Sequence, residues 1–316
     1  MSMGALGSST SKVELSQVKH QLQKEQRRLL LRRFLSNKLM LTGSLIIILM
    51  TAFAIIGPHL VSFDPYEMEP SNRLQPPGTE HLLGTDNFGR DLLTRIVYGA
   101  QVSIWVGFSV ALVSAGIGMV IGLYAGYYRA LDQVLMRICD GLMAIPGILL
   151  AIALVAALGP RQENVIIALG VVFIPYIARI VRSATLVVRE ETYIEAMKAQ
   201  GASATRIIWM HIAPNTLSPL VVQATFVFAD AIITEAALSF LGAGVPTPDP
   251  SWGNILYDGK LVIFKAWWMT VFPGILIILT VMGLNFWGDG LRDLVDPQSK
   301  HNWKRKKKKK LGGLLR

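Results

Sequence analysis

Six long apolar runs alternate with polar segments along the chain, each about as long as a helix crossing a ~30 Å hydrocarbon layer. They fall near 39–58, 99–128, 138–158, 165–188, 216–241 and 267–287. The second is rich in Gly and Ser, the composition of spans whose backbones pack closely. The fourth is interrupted by Pro175 and ends with Arg179 and Arg182, placed to snorkel to the interface. Of the polar segments, 59–97 holds Pro65, Pro70, Pro76 and Pro77 and is too broken to span. The segment 242–266 is a loop of Gly, Pro and Trp.

One polar segment stands apart. Arg189 to Asn215 reads RETYIEAMKAQGASATRIIWMHIAPN and divides at Gly201. Before the glycine, Glu190 to Gln200 is made of good helix formers, with Tyr193, Ile194 and Met197 spaced to share a face. Gly201 favours a break because glycine enters left-handed backbone without a Cβ clash. After it, Ser203 is placed to cap a second short helix through Ile212, which Pro214 closes. Two short helices joined at a glycine form either a knob that fits a partner's groove or a solvated loop.

Charge decides where that segment sits. Of 316 residues, 52% are hydrophobic and only 16% charged, against roughly 25% in a soluble domain. The mean hydropathy is +0.44, so the chain is a membrane protein. The net charge of +10 lies mostly in the tails, Lys24, Arg27, Arg28, Arg32, Arg33 and Lys38 at one end and Lys304 to Lys310 at the other. That pattern points to an anionic lipid surface and not to nucleic acid. The first apolar run is span-length and no small-residue cleavage site follows it, so it reads as an uncleaved span. Most Lys and Arg lie in the two tails, the 129–137 turn and the 189–213 segment, and an even number of spans puts all four on one side. The expectation is an all-α membrane protein of six transmembrane helices with cytoplasmic termini. Its parts are a basic tail (1–38), a first helix (39–58), an extracytoplasmic insert (59–97), a transmembrane core (98–290) holding the cytoplasmic loop 189–215, and a second basic tail (291–316).

Catalytic patterns are missing. No Walker-type phosphate loop, HExxH or GxSxG occurs, so no cofactor, catalytic residue or resident metal is expected. His20, His59, His81, His211 and His301 are scattered over tails and loops, and the single Cys139 has no partner for a disulfide or a metal. Within the spans, Asp230 and Glu235 stand out, since a carboxylate in lipid needs water or a partner. Each either lines a substrate path or packs against a neighbouring helix; Asn285 reads as a helix–helix hydrogen bond. On the outside, His81 to Ala100 reads as a turn feeding a helix, capped by Asp86 or Asn87 with Asp91 in its first turn, while Gly84 and Gly89 permit tight backbone. His81 with Asp86 gives two ligands, too few for a metal.

Four separated segments together resemble the permease subunits of ABC importers for dipeptides, oligopeptides and nickel, in particular their C-type permease. The resemblance covers roughly residues 36–297. In the 189–215 loop, Glu195, Ala196, Met197, Gly201, Ala202 and Pro214 follow the family's EAA pattern, with Met197 for its second alanine and Ala213 for the leucine before proline. GTDNFGRD (84–91), LSFLGAGVPTPDPSWG (238–253) and GDGLRDLVDP (288–297) match further signatures, and Gln101 replaces an arginine. The resemblance implies a type I importer permease of the bacterial inner membrane that performs no chemistry itself. Its partners would be a B-type permease, two ATPase subunits that bind ATP and Mg, and an extracytoplasmic binding protein delivering peptides. It also implies a coupling interface to the ATPase through Glu195, Ala196, Met197, Gly201, Ala202, Arg206 and Pro214, with Asp230 and Glu235 as candidates for the path. Nickel or a metal chelate is the alternative cargo, and a proton-coupled secondary transporter using Asp230 and Glu235 is the rival from another class.

Overall fold

The computed structural model describes Lys24, Glu25, Arg28 and residues 34–295. Arg27, Arg32, Arg33, His20, His301, the Lys304–Lys310 run and the last two residues of the 288–297 signature lie outside the described residues. Regular structure among those described is helical, with one isolated bridge between Thr85 and Asp91.

From Lys38 onward the helices run in chain order: α1 Lys38–Ile56, α2 Leu92–Tyr127, α3 Arg129–Met143, α4 Gly147–Leu158, α5 Gln162–Arg189, α6 Thr192–Ala199, α7 Ala204–Phe240, α8 Trp252–Lys260 and α9 Trp268–Val295. Five are long and apolar enough to cross a membrane: α1, α2, α5, α7 and α9. The sixth candidate span is a bent pair. The expected straight span at 138–158 is instead α3 and α4, which meet at 93°. The cause is Pro146, which supplies no backbone N–H and disfavours helical backbone at Ile145. What remains before the break is an amphipathic helix with one buried residue, Cys139; what remains after it is a 12-residue apolar helix.

α2 and α5 form the centre of the bundle. Gly118, Gly122 and Gly126 recur every fourth residue along α2, and a Cβ on each would lie 2.7, 2.6 and 2.5 Å from Ile177, the Ala178 carbonyl and Thr185. The small-residue ridge lets the two backbones approach closely. α7 closes on this pair, and Val110, Leu123, Ile177, Val181, Leu220 and Val227 share one apolar core. α1 packs against α9 and borders a second cluster with Ala54, Ile232 and Trp252.

α7 corrects the expectation of a short helix ending at Pro214. Ser203 precedes the helix, and its side chain makes no cap hydrogen bond. The chain runs on through a π-helical turn, Ile207–Ile212, straight into the fifth long span. In that turn the Ala213 amide reaches back five residues to the Ile208 carbonyl. With the ladder already shifted there, the missing N–H of Pro214 does not end the helix.

The segment 57–91 is irregular, with short 3-10 turns at Gly57–His59 and Pro70–Asn72. Gly84 and Gly89 have φ of +79° and +80°, as the tight turns required. α2 begins at Leu92 and not near Gly99, and its N-cap is Asp91, which accepts from the Thr94 amide. Neither Asp86 nor Asn87 caps it: residues 86–90 form a closed turn of their own, the Asp86 amide donating to the Arg90 carbonyl at 3.0 Å.

Candidate functional site

Helix α6 and the start of α7 make a knob at the end of the bundle opposite the 57–91 segment. Gly201 turns the chain between them with φ +80°. Its amide donates to the Lys198 carbonyl, and the Ala202 amide to the Met197 carbonyl, both at 3.0 Å. This is the glycine-dependent helix stop in which two otherwise unpaired carbonyls are satisfied. The inner face is Ile194, Ile207, Ile208 and Ile212, each fully buried in the same core as the spans, with Met197 and Ala202 packed against it. At roughly 1.5–3 kcal/mol for each isoleucine, this burial fixes the knob to the bundle. Arg189 adds a tie, donating to the Gly126 carbonyl at 3.0 Å and the Tyr127 carbonyl at 3.4 Å.

The outer face is open. Glu195, Ala196, Gly201, Arg206 and Pro214 are exposed. Tyr193, Trp209 and Met210 extend the surface at 43%, 41% and 66% exposure. Tyr193 therefore does not share the buried face with Ile194, as its spacing had promised; its hydroxyl accepts from Asn215 instead. Both departures from the EAA pattern point inward, Met197 half-buried and Ala213 buried. They belong to the support of the knob and leave its exposed face as the pattern has it.

Beside the knob, α3 is clipped to α5. Arg179 Nη2 lies 2.6 Å from Asp140 Oδ1, and Arg182 makes a two-pronged contact with Asp132, 2.6 Å on its Nη2–Oδ2 side. These arginines pair with carboxylates of a neighbouring helix and so need not snorkel to the interface.

Asp230 and Glu235 have different surroundings. They are five residues apart, about 140° around an ideal helix. Asp230 is exposed and borders a cavity of about 380 Å³ walled by α4, α5 and α7. Glu235 is fully buried and off that cavity. Ser103 donates to its Oε2 at 3.1 Å and Ser239 to its Oε1 at 2.8 Å. The same serines accept from the amides of Trp252 (3.3 Å) and Val245 (3.1 Å), so Glu235 joins α2, α7 and the 242–252 loop. Glu235→Ala leaves two buried hydroxyls short of an acceptor, at about 1–3 kcal/mol, while Glu235→Gln keeps one carbonyl oxygen and loses less. Thermal melting of the detergent-solubilised protein should rank wild type, Gln, Ala; equal melting of all three removes this anchoring role.

Opposite the knob, buried charges knit the insert to the bundle. Asp86 Oδ2 lies 2.6 Å from Arg90 Nε and 3.5 Å from Arg95 Nε, and Arg90 also reaches Asp258 at 3.4 Å. Burial pushes the Asp258 carboxyl above the usual range, against the pull of Arg90. His81 pairs with Asp91 at 3.0 Å and not with Asp86. The Trp268 indole donates to the Thr85 carbonyl at 3.1 Å.

Gln223 and Tyr176, which border the Asp230 cavity, and the aromatic edge of the knob are not marked out by charge in the sequence. A scan for ionisable residues passes over Gln and Tyr. The spacing from Gln223 through Val227 to Asp230 and Thr234, at steps of three and four, was the available signal.

Comparison with known proteins adds independent findings. A family model described as the binding-protein-dependent transport system inner membrane component matches residues 118–301. A second, the N-terminal TM domain of oligopeptide transport permease C, matches residues 25–77. A Brucella abortus protein, named provisionally as a peptide transport system permease, is 50% identical over 85% of this chain and 91% of its own length. The dipeptide transport system permease protein DppC of Alkalihalophilus pseudofirmus is 49% identical over 84% of this chain and 87% of its own. Among solved structures, the methionine ABC transporter in inward-facing conformations aligns at 25% identity and TM-score 0.49, over 61% of this chain and 94% of that one.

Proposed function

The chain belongs to the family of binding-protein-dependent transport system inner membrane components, and from that premise we propose that its knob is where an ATPase subunit drives it. It is a multi-pass inner-membrane protein and a permease subunit of an ABC importer for peptides. ATPase and second permease subunits are the general partners of that family. In this reading both termini and the knob are cytoplasmic, in keeping with the concentration of Lys and Arg on that side. ATP and Mg belong to the ATPase partners, and this chain supplies no catalytic group. Glu195, Ala196, Gly201, Arg206 and Pro214 meet the ATPase, with Met197 and Ala202 supporting them from behind. A B-type permease completes the path, and a binding protein delivers peptide to the opposite face.

One observation supports coupling above the rest: the knob's buried isoleucines belong to the same core as α2, α5 and α7. A push on the outer face has no soft joint to deform and passes to the spans as a rigid-body movement. A cysteine at exposed Ala196, in a chain whose native Cys139 is buried, tests the contact. Treated with a maleimide–succinimidyl ester reagent, the A196C chain should form a thiol-to-lysine crosslink to an ATPase subunit in native membranes. Normal uptake with no such crosslink would reject the assignment.

A further inference from the structure

Polar positions inside the apolar run of α7 fall on one face. Gln223, Asp230 and Thr234 line one wall of the 380 Å³ cavity, and Phe173 and Tyr176 of α5 line another. The two rings lie 6.1 Å apart, centroid to centroid. Asp230 is ten residues before the end of α7 at Phe240, so it sits ~15 Å along the axis from that end. With the hydrocarbon boundary taken at that helix end, this is near the middle of a ~30 Å layer.

At this depth the carboxylate has no countercharge among the described residues. Thr234 Oγ1 donates to the Asp230 backbone carbonyl at 2.7 Å and so is engaged locally. Among the described residues no side chain donates to the Asp230 carboxylate or pairs with it. Arg179, about one turn along α5 from Tyr176, is held by Asp140 at 2.6 Å. A lone carboxylate at membrane depth calls for a cation or water from outside the chain. The aromatic faces narrow the choice, because they attract alkylammonium ions over small, strongly hydrated cations.

We propose that this cavity is a subsite for an ammonium group, with Asp230 as countercharge, Phe173 and Tyr176 as the aromatic wall, and Gln223 placed to hydrogen-bond the adjoining amide. Resting on the peptide-importer reading, the ammonium is the α-amino terminus that every unblocked peptide presents. A proton carrier would need the carboxyl but not the aromatic wall.

The test uses the assembled importer in membranes and a hydrophobic carbodiimide, with modification at Asp230 read by mass spectrometry. Tetramethylammonium, which has no free amine to couple with the activated carboxyl, should slow that labelling at least about fivefold more than tert-butanol at equal concentration. Equal effects of the ion and the alcohol overturn the proposal. In the second arm Asp230→Asn should cut uptake of an unblocked dipeptide roughly tenfold with the yield of complex unchanged, and Asp230→Glu should recover most of it. Loss of complex in Asp230→Asn would assign the carboxylate to a partner subunit and overturn the subsite. Ammonium protection in an importer that takes up no peptide would refute the peptide reading and leave the subsite standing.

Discussion

Replacing Gly201 with valine should reduce uptake at least about tenfold while the protein still inserts and accumulates in the membrane. The reason is conformational. A Cβ at Gly201 would meet nothing within 4 Å, so there is no clash with the rest of the molecule. The backbone there has φ +80°, a region that a β-branched residue enters at a cost of about 1–3 kcal/mol. The chain can relieve that strain by giving up the amide contacts from Gly201 to Lys198 and from Ala202 to Met197. Met197 and Ala202 then leave the core, and α6 loses the backing that holds its outer face. On the proposed function the ATPase sites belong to partner chains, so ATP hydrolysis should continue without matching uptake. Asparagine tolerates left-handed backbone, so Gly201→Asn should transport close to wild type, with Gly201→Ala between. The measurement is peptide uptake against ATP hydrolysis in reconstituted importer, with membrane content by immunoblot. If the valine and asparagine variants transport equally, left-handed backbone at Gly201 is not what holds the knob.

The glycine break was readable because it depends on one residue's own backbone preference. So were the long spans, which need only a sustained apolar run. Features that depend on an angle were less accessible. Hydropathy alone reads 138–158 as one crossing, because it averages over Pro146; the 93° turn depends on that proline and on the carboxylates of Asp132 and Asp140, which bind α3 to the arginines of α5. Pro214 misleads in the opposite sense. A proline normally ends a helix through its missing N–H, but the π turn just before it had already shifted the bonding pattern. Asp230 and Glu235 looked equivalent as acids in one span, although a separation of five residues puts them about 140° apart. Helical geometry shows that they face different ways. Only the packing shows which one faces the serines.

The largest stability effect should come from Asp86→Ala. Asp86 is 1% exposed and its carboxylate makes four contacts. Oδ1 accepts from the amides of Phe88 at 2.8 Å and Arg90 at 3.0 Å, while Oδ2 faces the Nε atoms of Arg90 and Arg95 at 2.6 and 3.5 Å. Alanine removes all four and leaves two buried guanidinium groups. Arg90 keeps Asp258 at 3.4 Å; Arg95 keeps only the carbonyls of Pro65 and Pro248, at 3.1 and 3.4 Å. Breaking a buried pair from one side costs about 3–5 kcal/mol, more than any single apolar contact in the insert supplies. Asp86→Asn retains an acceptor and should lose less. Arg95→Met removes one cation and leaves Asp86 paired with Arg90, so it too should be milder. The measurement is the yield and melting temperature of detergent-solubilised complex; D86A melting with wild type would remove the cluster as the insert's anchor. The anchor matters because Pro65, Pro70, Pro76 and Pro77 deny the insert the backbone bonds from which a regular element is built. Its shape is held by charges that link its last turn, Asp86 to Arg90, to Arg95 of α2 and Asp258 of α8, and these join the surface opposite the knob to the spans.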